Sequence, residues 1–151
     1  MNKGVYALIL KNPHREIRIG ALGVREFAAG RHIYVGSALG SGGLARVERH
    51  VRLALHRDRS ARWHIDYLLL DPCFAPVAVV TAATDRDCEC ALARAIGGPP
   101  VPGFGCSDCA CPSHLFHRSG DPVEEVLAAF RGLNLDARIT RIKNEGDEHR
   151  V

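Results

Sequence analysis

A chain of 151 residues suits one compact domain and is tight for two. Its apolar content of 46% is that of a soluble globular protein, and no uninterrupted apolar run reaches the roughly 18 residues that a membrane span needs. The net charge of +3 conceals an asymmetry: residues 1–70 carry 12 Lys and Arg against 5 Asp and Glu, and residues 71–151 carry 8 against 12, so the first half offers either a nucleic-acid face or a merely solvated basic surface.

Residues 4–10 (GVYALIL) read as a buried strand, broken by Asn12-Pro13. Residues 16–20 (EIRIG) alternate polar and apolar as a half-exposed strand does, and after a loop ending at Gly30, residues 31–36 (RHIYVG) read as a third strand. Short connections favour an antiparallel meander of these three. The small, flexible run 37–43 leads into a helix over 44–57, on which Leu44, Val47, Val51 and Leu55 share a face. A second helix is expected over 64–70, a β-branched strand over 76–81, and a helix over 85–96 capped near Thr84 or Asp85. The turn-rich run 97–105 (GGPPVPGFG) leads into a cysteine cluster, and a last helix runs from Asp121-Pro122 through Phe130, with Pro at its first position. Residues 1–143 are read as one domain and 144–151 as a polar tail. Helices and strands alternate without βαβ spacing, which predicts an α+β fold with a small, mainly antiparallel central sheet flanked by helices.

The opening ten residues lack the pattern of an export signal, so the expected location is cytoplasmic. Six cysteines in such a chain argue against a disulfide framework. Cys106, Cys109, Cys111 and His114 offer four zinc-type ligands within nine residues, a tight spacing in which Cys90 or His64 could replace one. The alternative is reduced cysteines and a hydrogen-bonded His114 in a compact loop. Cys88, on the apolar stripe of its helix, and Cys73 are expected in the core.

Tyr6 lies in Gly-Val-Tyr on the first strand and Tyr34 in Tyr-Val-Gly on the third, so both can present a phenol on the sheet. A phenol titrates at about 10 and needs a cation or a metal nearby to work as a base at neutral pH. Arg46 and His50 share a face of the next helix and can reach along the sheet edge. Just upstream of Trp63, Arg49, Arg52, Arg57, Arg59 and Arg62 suit phosphate contacts, or form a solvated helix face. His64 either contacts a phosphate at the cleft or ties the second helix to the loop after Gly103.

In this order, Gly4-Val5-Tyr6, Tyr34-Val35-Gly36, Arg46-Val47-x-x-His50 and an acid on a later helix, the chain resembles the GIY-YIG nuclease superfamily. The runs YVGSA (34–38), WHIDYLL (63–69) and FGCSDCACPSHLF (104–116) bring it closest to a group of small GIY-YIG-like domains, mainly archaeal and bacterial, some joined to an endonuclease III-type repair enzyme. The resemblance spans residues 3–118 and implies a DNA endonuclease dependent on Mg²⁺ or Mn²⁺, with DNA and a repair protein as partners. It implies that Tyr6 is the general base for the attacking water and that Tyr34 positions water or phosphate. Arg46 would stabilise charge at phosphorus, His50 would support the site, and Glu89 would hold the metal. Arg49, Arg52, Arg57 and His64 are the nucleic-acid candidates. One carboxylate suffices, since Mg²⁺ takes its remaining oxygens from water and phosphate. The 27 residues between Tyr6 and Tyr34 exceed the family's usual connection and leave room for the extra strand. Two other classes fit the same residues: a non-catalytic nucleic-acid-binding domain on this scaffold, and a zinc-stabilised interaction module.

Overall fold

The computed structural model describes residues 2–40, 42–104 and 113–142. It is an α+β domain whose centre is a five-stranded antiparallel sheet flanked by helices. Strand β1, Gly4–Asn12, lies in the middle. It pairs on one side with β4, Gly30–Ala38, in the register Tyr6↔Gly36, and on the other with β5, Ala75–Ala83. The edges are β6, Leu115–Arg118, beside β4, and β7, Arg138–Arg141, beside β5.

Both faces of β1 are buried, which explains its continuous apolar run. Val5, Ala7 and Ile9 meet Ile33 and Val35 of β4 under α3, Glu89–Ile96, and α4, Val123–Gly132. Leu8 and Leu10 face the opposite way. They pack on Leu53 of α1, Ala45–His56, and on Ile65, Leu68 and Leu69 of α2, His64–Leu69. Because side chains alternate along a strand, Tyr6 points to this second face, toward α1. Gly36 directly opposes it. A Cβ on Gly36 would collide with the Tyr6 ring, so the glycine of Tyr-Val-Gly is what lets the tyrosine of Gly-Val-Tyr lie flat over β4.

Several expectations are corrected. The second predicted strand does not sit between the other two. Arg15–Arg18 (β2) pairs with Val24–Phe27 (β3) as a separate hairpin, while β1 joins β4 directly, so the three strands form no meander. The excursion over residues 13–29 closes where Asn12 pairs with Gly30. Helix α3 starts at Glu89, four residues later than expected. The Thr84 hydroxyl instead accepts the Arg86 N–H in a turn, a local bond that competes with helix. Pro122 flanks α4 at its cap, and the Asp121 carboxylate accepts the Val123 N–H. On α1 the buried residues are His50, Leu53 and Ala54; Val47 and Val51 are half-buried and Leu55 is 46% exposed. The helix is therefore rolled so that His50, not the Leu55 end of the aliphatic stripe, meets the sheet. Cys88 is buried just before α3 and not on it, and Cys73 is only half-buried, in the turn after α2. No helix among the described residues is long and apolar enough to cross a membrane.

Candidate functional site

The second face of the sheet gathers four of the sequence-predicted residues. Tyr6 is 2% exposed, and its hydroxyl lies 2.8 Å from Nε2 of His50. The Tyr6 and Tyr34 rings are 6.4 Å apart between centroids, and Tyr34 meets His50 edge-on at 6.3 Å. Arg46, one turn before His50, donates from Nη1 to the Ser37 carbonyl at 3.0 Å, which pins the start of α1 to the end of β4.

The electrostatics define which group holds the proton. Burial pushes the Tyr6 phenol well above its usual range, Tyr34 adds to this, and the Arg46 charge pulls it back only in part. Burial pushes His50 down to about 4, against an opposing pull from Asp66. At neutral pH the pair is therefore a phenol and a neutral imidazole. The Asp66 carboxylate on the far side of the ring favours the tautomer with the proton on Nδ1, in which the phenol donates to Nε2.

Asp66 and Trp63 belong to this site and sequence reasoning missed both. Asp66 is fully buried. It accepts the N–H groups of Arg62 at 2.8 Å and Trp63 at 3.0 Å, and two guanidinium donors of Arg49 at 3.4 and 3.3 Å. Its Oδ1 stands 4.0 Å from His50 Nδ1. The Trp63 ring lies 6.0 Å from the His50 ring and has the guanidinium carbons of Arg46, Arg49 and Arg62 at 5.1, 4.5 and 5.8 Å from its centre. The sequence signal was the lone acid in WHIDYLL, three residues after the tryptophan. An Asp at that position closes a helix N-terminus by accepting the amide three residues back.

The remaining candidates are placed differently. Glu89 opens α3 with its side chain 24% exposed; Tyr6 feels its charge, and its Oε2 is 3.7 Å from His114 Nδ1. Arg49 is half-buried against Asp66 and Trp63, whereas Arg52 and Arg57 are exposed. Arg49, Arg52 and Arg59 line one small surface hollow beside Asp58. His64 packs on Phe104, ring centres 5.7 Å apart, linking α2 to the segment after Gly103. Cys106, Cys109 and Cys111 lie outside the described residues. Of that cluster His114 is described: it is buried, its Nε2 is 3.6 Å from the Cys90 thiol, and its carbonyl accepts the Val35 N–H of β4. Burial lowers its pKa. Among the described residues, no group of three or more His, Cys, Asp or Glu is arranged to hold a metal ion.

Fold and site together define a class: a small α+β domain with an antiparallel five-stranded sheet, two of whose inner strands, β1 and β4, bring a tyrosine pair to a histidine and an arginine on the following helix. The family model for a domain of unknown function, DUF123, matches residues 5–135, and the chain belongs to that family. Neither the curated proteins nor the solved structures compared with it gave a match.

Proposed function

We propose that this protein is a GIY-YIG-type endonuclease that hydrolyses DNA phosphodiester bonds with a divalent metal, in DNA repair or processing. The observation that carries the reading is the 2.8 Å hydrogen bond between the Tyr6 phenol and the neutral His50 imidazole. A buried phenol is a weak base by itself, but one already bonded to an unprotonated imidazole can pass its proton on while it accepts another. As water attacks phosphorus, its proton moves to the Tyr6 oxygen and the Tyr6 proton moves to His50 Nε2. Tyr34, half-buried beside it, is placed to orient the water or a phosphate oxygen. Arg46, held by Ser37 and Trp63, would meet charge building on the non-bridging oxygens. Arg49 and Arg52 on α1, with Arg57 just past its end, would extend this positive charge for flanking phosphates.

Glu89 would hold Mg²⁺ or Mn²⁺. A partly exposed carboxylate whose charge reaches Tyr6 fits a hard cation that keeps several waters. Such an ion supplies electrophilic stabilisation of the phosphate. A structural zinc ion on His114, Cys106, Cys109 and Cys111 is part of the same reading, and the Cys90 thiol, 3.6 Å from His114, is a further candidate ligand. DNA is the substrate, and a repair protein is the partner that would confer specificity.

A second reading, a nucleic-acid-binding domain without chemistry, draws on the near-complete burial of Tyr6. Cleavage of branched, nicked and linear DNA with Mg²⁺ or Mn²⁺ separates the two, with Tyr6→Phe and Glu89→Ala as controls. Metal-dependent cutting lost in both variants is expected. Binding without cutting on every substrate would favour the second reading. Metal analysis of protein purified without chelator tests the zinc, which should be stoichiometric.

A further inference from the structure

The Tyr6–His50 pair leaves one polar atom unexplained. His50 is 1% exposed, its Nε2 is engaged by Tyr6, and its Nδ1 has no hydrogen-bond partner among the described residues. A ring nitrogen buried without a hydrogen-bond partner is costly and rare. The nearest acceptor is a carboxylate oxygen of Asp66, at 4.0 Å.

The elements packed around His50 bring a defined set of groups: Tyr6 from β1, Tyr34 from β4, Arg46 and Arg49 from its own helix, and Asp66 from α2. Asp66 is the only acid among them. It is also held firmly: one oxygen accepts two backbone N–H groups, and the other faces His50 with a long bond from Arg49. Capping α2 occupies only one oxygen; the second lies between Arg49 Nη1, at 3.4 Å, and His50 Nδ1, at 4.0 Å.

We infer that Asp66 is the positioning residue of a Tyr6–His50–Asp66 relay, in which its carboxylate fixes the Nδ1–H tautomer of His50 and stabilises the imidazolium formed when Tyr6 gives up its proton. The inference rests on the nuclease reading for its chemistry, but its geometry stands without it. In the resting state the imidazole is neutral and Nδ1–H points at Asp66 across 4.0 Å. When the Tyr6 proton reaches Nε2, the ring becomes a cation beside a buried anion, and the gap closes by a shift of about 1 Å to hydrogen-bond length, as resting catalytic contacts often do. The proton count balances: water gives one to Tyr6, Tyr6 gives one to His50, and Asp66 gains none. This is the division of labour of acid, imidazole and nucleophile seen generally where a carboxylate orients a histidine.

Nitrogen-15 NMR of the His50 ring in the resting protein, without DNA, tests this independently of any cleavage. In the wild type, Nδ1 should be protonated, with a slowly exchanging proton, and Nε2 unprotonated. Asp66→Asn keeps an oxygen for the Arg62 and Trp63 amides but removes the charge. It should lower the His50 titration midpoint further, weaken the protection of the Nδ1 proton and reduce kcat by about tenfold or more with KM little changed. A fast-exchanging Nδ1 proton in the wild type would overturn the relay even if the variant failed to fold. So would an Asp66→Asn variant that folds and leaves the His50 midpoint and tautomer unchanged, for Asp66 would then be a helix cap only. Wild-type protein that cuts no DNA yet shows these shifts would sink the nuclease reading and leave the relay standing.

Discussion

Tyr6 and His50 illustrate how much of the site is visible in residue order and how much is made by burial. The order of Gly-Val-Tyr, Tyr-Val-Gly and Arg-x-x-x-His pointed to Tyr6, Tyr34, Arg46 and His50, and the sheet places all four on one face. Which of them holds a proton was not legible, because it depends on desolvation that no spacing encodes. In the proposed mechanism, with His50 pushed down to about 4, the base would be ready well below neutrality. The acid limb of kcat against pH should therefore fall near pH 4, well below the ordinary histidine value of about 6.5. A limb at pH 6 to 7 that vanished in His50→Gln would show an ordinary, solvated histidine. The place of Asp66 beside His50 was not legible for a different reason. Its partners Arg49 and His50 lie on another helix, and nothing local in WHIDYLL announces them.

At the level of elements, long and strongly patterned segments were legible and short edge strands were not. The run GVYALIL is buried on both faces, and β1 extends it by two residues. By contrast β6 and β7 are four residues each, and β7 is exposed throughout; their strand character comes from pairing with β4 and β5 rather than from their own composition. Strand β3 was missed for the same reason, since it exists only as the partner of β2. The contact of β1 with β4 makes one sharp prediction. Gly36→Ala places a methyl into the Tyr6 ring, so it should cost about 1–3 kcal/mol in denaturant unfolding and abolish the Tyr6–His50 bond. Ser37→Ala, one residue on, should cost little, because its contact with Arg46 is through the backbone. Equal stability of Gly36→Ala and wild type would mean that Tyr6 does not lie over β4.

For the whole molecule, the α+β class and an antiparallel sheet flanked by helices were legible from the alternation of elements, but the strand order was not. A hairpin excursion between β1 and β4 has the same local pattern as a meander, and only pairing distinguishes them. Among the described residues the fold buries three histidines, His32, His50 and His114, and burial lowers the pKa of each. His32, packed against Phe27, Phe74 and His117, is pushed down to about 4 by burial, as His50 is. The unfolded chain takes up these protons near pH 6.5 and the folded chain only near 4, so protons favour unfolding between those values. Stability should be complete above pH 6.5 and decline as pH falls toward 4, by up to about 3 kcal/mol for each of His32 and His50. Melting temperatures across that range check this; a flat profile would mean that both rings are already charged or solvated in the fold.

The central claim, that Tyr6 is the group through which the attacking water is deprotonated, is tested most directly by single-turnover cleavage of labelled DNA in Mg²⁺. The comparison is between wild type and Tyr6→Phe, with far-ultraviolet circular dichroism to establish that both are folded. The expected result is a folded variant whose cleavage rate falls by about 100-fold or more while DNA affinity is kept. A folded Tyr6→Phe protein that cuts at the wild-type rate would contradict it.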